Sequence, residues 1–259
     1  MTGRKAVVLL YTSLIFLILT VSGCTHTMDM TNCKEMFAEF PVDATVAKQN
    51  VPPGYIIRID KDGMATMLLM VQDCEKGLLD GLLPIRPMRM SHIWIEIDGP
   101  EETGPPLPDT TESLPTAYYY ILPHQFESGL ANIALTLTGI DAELVEEITF
   151  GKRSGNQRPG TVIEKAPSVI YRWIETSQLL TTPKIVTGRR KFYRQYGSVI
   201  NRISEGTVTC RSNFLGSGSV VLTASPDSAI GRMHFDTTLT GTAYPVEMSC
   251  RAEIKVQIR

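Results

Sequence analysis

Gly216-Ser-Gly-Ser-Val-Val-Leu-Thr-Ala-Ser-Pro-Asp-Ser-Ala-Ile-Gly-Arg-Met-His-Phe-Asp236, with the strand-like run from Tyr244 that follows it, is the stretch whose reading decides the fold. Ser219 to Ala224 reads as a strand from its β-branched and apolar content. Gly216-Ser217-Gly218-Ser219 resembles a phosphate-binding loop in its glycine spacing. It lacks the lysine and the following helix, so it reads as a turn between strands.

The same alternation of short strands and turns extends outward in both directions. Tyr55 to Asp60 and Ala65 to Val71 are strand-like, joined by a hairpin turn at Lys61-Asp62-Gly63. His92 to Asp98 alternates through Ile93, Ile95 and Ile97. Ala117 to Leu122, Ala131 to Thr138, Thr161 to Glu164, Ser168 to Thr176, Lys184 to Thr187, Ser198 to Ile203, Thr207 to Cys210 and Tyr244 to Ile258 bring the count to roughly ten or more strands. Helical spacing marks Cys74–Leu83, stopped by Pro84, and Ala142–Glu147, and one helical turn or two is expected between Thr25 and Pro53. Residues 99 to 116 carry five prolines and read as an irregular loop. A mainly β domain with a few short helices, a barrel or a sandwich, follows.

The N-terminus points out of the cytoplasm. Arg4 and Lys5 precede the apolar run Ala6 to Thr20, which is shorter than the roughly 20 residues a spanning helix needs. A charged head, a short apolar run and small residues are the parts of a secretory signal. Val21-Ser22-Gly23-Cys24 then resembles the lipobox of bacterial lipoproteins, which implies cleavage after Gly23 and lipid attachment at Cys24. Thr25 stands where aspartate would signal retention in an inner membrane, so the outer membrane is favoured in a host with two. The expected organisation is a signal peptide at 1–23, a lipid-anchored tether at 24–53 ending in Pro52-Pro53-Gly54, and one β domain at 54–259.

Without its signal the chain carries 23 basic and 27 acidic residues, a balance that argues against nucleic acid as a partner. Setting Cys24 aside leaves Cys33, Cys74, Cys210 and Cys250, an even number in a compartment that permits disulfides. Three pairings are open. Cys210 with Cys250, each in a strand-like segment, is preferred, and Cys33 with Cys74 follows. Zinc is the rival reading of four cysteines, but none stands in a C-x-x-C pair and no histidine lies at ligand spacing.

Three segments in order are similar to the acetoacetate decarboxylase family. Ala65-Thr-Met-Leu-Leu-Met-Val-Gln-Asp-Cys-Glu-Lys-Gly-Leu-Leu-Asp-Gly-Leu-Leu-Pro84 resembles its opening block, and Thr111-Glu112-Ser113 resembles its acidic residue ahead of a strand. Gly216 to Asp236 with the strand from Tyr244 resembles its closing block. The resemblance covers most of residues 55 to 258. It implies a β-cone or double-barrel fold around a pocket, and a lysine that forms a Schiff base with a β-keto acid so that carbon dioxide can leave. Such a lysine is activated by desolvation or by a neighbouring cation, and the chemistry calls for no cofactor. On this sequence the resemblance implies Lys152 as nucleophile, Arg153 as the adjacent cation, Glu147 as the motif glutamate and Glu112 as the pocket carboxylate. The glycine and arginine before Glu147 and the proline before the lysine are replaced, and the interval is one residue short.

Two functions therefore stand side by side. One is a membrane-anchored Schiff-base lyase acting on a small keto acid or carbonyl compound. The other is a non-catalytic envelope lipoprotein whose barrel binds a small or lipidic ligand or a protein partner. The basic cluster Arg189-Arg190-Lys191, interleaved with Phe192, Tyr193, Arg194 and Tyr196, is read as a solvated strand face, as a contact for anionic lipid, or as an anion-binding group.

Overall fold

In the computed structural model, residues 25–86, 88–100, 116–130, 132, 142–164, 169–180, 184–196 and 200–258 are described. They form, in chain order, β1 (Thr25–Asp43), α1 (Ala44–Asn50), β2 (Tyr55–Ile57), β3 (Met64–Leu79), β4 (Leu83–Ile85), β5 (Met88–Pro100), β6 (Thr116–Phe126), β7 (Ala142–Phe150), β8 (Gln157–Glu164), β9 (Ile170–Leu180), β10 (Lys184–Tyr196), β11 (Ile200–Ala224), α2 (Ala229–Arg232) and β12 (Thr238–Ile258). The expected mainly β architecture with few short helices is what the chain adopts. Among the described residues no helix is long and apolar enough to cross a bilayer.

Pairing closes the sheet twice. β6, β7, β8, β9, β11, β12, β1, β3 and β5 form a ring of nine strands, because β5 also pairs with β6. β10 pairs with both β6 and β11, so it closes a second, seven-stranded circuit through the shared strands β11, β12, β1, β3, β5 and β6. Closure leaves few free edges. It also explains the unusual burial of the shared strands, whose alternate side chains enter two different cores. On β3, Met67, Leu69 and Val71 face the core of the large ring, whereas Leu68 and Met70 face the other side. On β5, Ile93, Ile95 and Ile97 take the first face and Met88, Met90 and Trp94 the second. Among the described residues the first core buries side chains of β7, β8 and β9, namely Val145, Ile148, Val162, Tyr171 and Trp173, whereas from these strands only the half-buried Ala142 packs against the second. The second core, on the β10 side, is rich in methionine.

Four expectations are corrected by tertiary pairing. Residues 25–43, read as a tether, are the central strand β1, bonded to β12 on one side and β3 on the other. The period-two signal is broken there by a bulge between Met30 and Cys33, where Asn32 takes φ of 50°, so buried positions switch from even to odd and back. Cys74–Leu83, read as a helix, instead continues β3 to Leu79. The turn at Asp80 and Gly81, both at positive φ, leads into β4. Ala142–Glu147, also read as helical, is the start of β7, held extended by its ladder to β8. Gly216–Ser219 is no turn but lies within β11. Gly218 is required there, because a Cβ would fall 1.9 Å from the Thr176 carbonyl oxygen of β9. The strand expected at Ala131–Thr138 lies outside the described residues.

Cys33 and Cys74 are directly opposite across β1 and β3 and are disulfide-bonded, with Cα atoms 3.9 Å apart. Cys250 is also disulfide-bonded, and the register sets Cys210 opposite it on β11. Four neighbouring strands, β11, β12, β1 and β3, thus carry the cysteines in two rows, two residues apart along β12, where Cys33 lies opposite Met248. Asp43 caps α1 by accepting from the backbone N–H groups of Thr45 and Val46, and these bonds hold its carboxyl below the usual range.

Candidate functional site

The inward side chains of β9 run Tyr171, Trp173, Glu175, Ser177, each buried and spaced about 7 Å from the next. The large aromatic rings fix which face of the strand points inward. Glu175 is therefore drawn into the interior and Ile174 is left 49% exposed on the outside. Opposite on β8, Arg158, Gly160 and Val162 are buried. Gly160 faces Trp173 in the ladder, and a Cβ there would lie 2.0 Å from the indole ring. Glycine makes room for the tryptophan.

Glu175 is fully buried and clamped by two guanidinium groups. Arg158 Nη2 donates to Oε2 at 2.9 Å, and Arg153 Nη2 donates to Oε1. Ser177 Oγ donates to Oε1 at 3.3 Å. Arg158 also donates to the Glu35 carbonyl at 3.2 Å and lies 4.7 Å over the Phe150 ring. Phe150 in turn meets Trp173 edge-on. Two charges of one sign balancing one of the other leave this group with a spare positive charge. Two buried donors in it, Arg158 Nε and Trp173 Nε1, have no acceptor among the described residues. Buried polar groups are otherwise almost always bonded, so an orphaned pair of donors marks a place where an acceptor-bearing ligand or water belongs.

Further along the same ring a second polar chain ends on Glu164. Gln125 Nε2, the backbone N–H of Ala229 and Arg232 Nη1 reach its carboxylate at 2.8, 2.8 and 3.4 Å. With the amide nitrogen of Gln125 so committed, its oxygen accepts from the Tyr171 hydroxyl at 2.5 Å, and that hydroxyl accepts from Ser91. The direction of donation is fixed from Ser91 through Tyr171 and Gln125 to Glu164. Burial holds the Tyr171 phenol far above its ordinary pKa, so it acts as a donor.

The residues singled out from the sequence fall in different places. Arg153 is half-buried and joins the Glu175 group. Lys152, one residue earlier in the β7–β8 connection, is exposed, and Glu147 is exposed on β7. Arg189, Arg190 and Lys191 lie on β10, between β6 and β11, and only their backbone is described. Glu112 and Cys24 lie outside the described residues. All five lysines whose side chains are described, Lys34, Lys48, Lys61, Lys76 and Lys152, are exposed. Among the described residues no three His, Cys, Asp or Glu side chains gather as a metal site. Arg158, Glu175, Tyr171, Gln125 and Glu164 were not anticipated. The one sequence signal for Glu175 was its period-two spacing from Tyr171 and Trp173.

No family model matches the sequence, and no curated protein matches it. Solved structures do match its backbone. The acetoacetate decarboxylase of Legionella pneumophila superposes with a TM-score of 0.58 at 8% identity, over 92% of this chain and 89% of that one. The chain has the acetoacetate-decarboxylase-like fold. The enduracididine biosynthesis enzyme MppR, solved with pyruvate, superposes with a TM-score of 0.55 at 11% identity, over 93% of this chain and 91% of that one. An acetoacetate decarboxylase-like enzyme from Sphingomonas wittichii gives 0.51 at 12%, over 92% of each chain. At such identities the acetoacetate-decarboxylase-like likeness is one of fold, and the chemistry has to be argued from the side chains.

Proposed function

We propose that this chain is a bacterial envelope lipoprotein, anchored through Cys24, whose large ring binds a small carboxylate or carbonyl compound against Arg158 without forming a Schiff base at Lys152. One observation carries the reading. The buried cation of the large ring is a guanidinium with an orphaned donor, whereas every lysine with a described side chain is exposed. A guanidinium holds carboxylate and carbonyl oxygens well but supplies no nucleophilic amine. An exposed amine lacks the desolvation on which a Schiff-base lysine depends. The presence of pyruvate in the MppR structure suggests small keto acids as the first compounds to try. The anchor rests on the Val21-Ser22-Gly23-Cys24 sequence, and the disulfides agree with an oxidising compartment.

Titration of the unlipidated protein with pyruvate and with acetoacetate, followed by calorimetry, tests the binding half. Saturable binding by the wild type that weakens about tenfold or more in Arg158→Gln, as expected for a lost charge-assisted bond, supports it. Absence of binding, or equal binding by a folded Arg158→Gln protein, overturns it. Mass spectrometry of the N-terminal peptide tests the anchor: diacylglycerol on Cys24 is expected, and an unmodified Cys24 in protein purified from membranes contradicts it.

The competing reading is a lyase acting through Lys152. Its support is that Lys152 adjoins Arg153, whose guanidinium reaches the buried group, so the amine stands one residue from it. Trapping with borohydride separates the two readings.

A further inference from the structure

The smaller ring holds a second constellation, distinct from the Arg158 group and independent of its reading. Met70 on β3 is paired in register with His92 on β5, and His92 with His124 on β6. Directly opposed residues of adjacent strands have Cβ atoms about 4.5–5.5 Å apart, so the three side chains form one lateral row. All three are more than nine-tenths buried, at 9, 6 and 7% exposure. Nδ1 of His92 faces Nδ1 of His124. Trp94 stacks on the His92 ring at 5.7 Å, and Phe126 meets it edge-on at 5.5 Å.

We propose that Met70, His92 and His124 bind a single monovalent copper ion. A neutral imidazole has one ring nitrogen with a free lone pair, and two facing Nδ1 atoms are satisfied by a shared proton or by an ion that takes both lone pairs. The ligand set selects the metal. Imidazole alone suits zinc as well as copper, but a thioether is a soft ligand that selects monovalent copper, so the methionine decides the set.

The surroundings agree. Met28, Met30, Met88 and Met90 belong to the same core, and no carboxylate completes a triad with the two histidines among the described residues. A singly charged ion also costs less to bring into such an apolar wall than a doubly charged one. Glu35, buried one row along, accepts from the Gln72 side-chain amide. Imidazole nitrogens sit about 2 Å from a bound metal, so the two facing Nδ1 atoms have to separate by about 1 Å or more to admit the ion. The unbranched Met70 side chain turns to meet it.

The test is anaerobic titration of the disulfide-intact protein with monovalent copper against a chromogenic chelator such as bicinchoninate, followed by X-ray absorption. One equivalent retained, with two nitrogen scatterers and one sulfur, is expected. Met70→Leu conserves volume and should fold normally. It should hold copper about tenfold less tightly or worse, the size of effect that misplaced metal ligands produce. His124→Gln should lose retention. Retention undiminished in Met70→Leu would place the ion at other methionines and overturn the proposal, as would failure of the wild type to hold copper or tighter binding of divalent zinc. Because Met70→Leu and the absorption spectrum stand alone, a misfolded His124→Gln leaves the proposal falsifiable.

Discussion

Arg158 and Glu175 are direct partners across the β8–β9 ladder, joined by a 2.9 Å bond inside the large ring, and Glu175 has no solvent exposure at all. A carboxylate in that setting is tolerated because Arg158, Arg153 and Ser177 surround it. Removing it strands two guanidinium groups. Glu175→Ala should therefore cost on the order of 3–5 kcal/mol in guanidinium denaturation. Replacing the group together, as Arg153→Met, Arg158→Met and Glu175→Leu, should recover most of that loss.

Gly160 tests the packing of the same ring. Its missing side chain is the space that the Trp173 ring occupies. Gly160→Ala should lower stability by about 1–3 kcal/mol through overpacking and change the tryptophan fluorescence. An unchanged emission spectrum and midpoint would show that the ring is not seated there.

The Cys33–Cys74 bond closes a sequence separation of 41 residues. By loop entropy such a bond contributes about 4 kcal/mol, so the Cys33→Ala, Cys74→Ala protein should lose on the order of 2–4 kcal/mol. Denaturation under non-reducing conditions measures the difference.

His92 gives the stability a pH dependence of known sign. Burial depresses its folded-state pKa to about 3, against an ordinary value of 6.5. Between those values the unfolded chain binds a proton that the native state refuses, so stability rises with pH through the window and is lost as pH falls. In chelator-treated buffer the wild type should lose up to about 1.4 kcal/mol per pH unit between pH 6 and 4 from this group. His92→Gln should show a flatter slope over that range.

Much of this fold was legible before any coordinates. The order of the Ala65, Glu112 and Gly216 blocks pointed to the acetoacetate-decarboxylase-like architecture, and the backbone has it. The segmentation was less legible, for physical reasons. The bulge beside Asn32 breaks the alternation that would have revealed β1, and the leucine spacing of Leu78 to Leu83 imitates a helix although ladder bonds keep Cys74 and Leu79 extended. Gly216 and Gly218 look like turn residues because glycine serves turns and close backbone approaches alike.

The site was harder still. Lys152 and Arg153 are adjacent in sequence, yet one is exposed and the other enters the buried group. Arg158 and Glu175 are seventeen residues apart and meet only through the register of a hairpin. Nothing local in Ile174-Glu175 reveals that the carboxylate, and not the isoleucine, turns inward. That choice is made by Tyr171 and Trp173, which need the interior more.

The central claim is that the decarboxylase-like scaffold binds its ligand here without a Schiff base at Lys152. Incubating the protein with pyruvate or acetoacetate, reducing with borohydride and recording the intact mass tests it most directly. The account predicts an unchanged mass under conditions where calorimetry detects bound ligand. A stoichiometric adduct that maps to Lys152 and disappears in Lys152→Ala would contradict it.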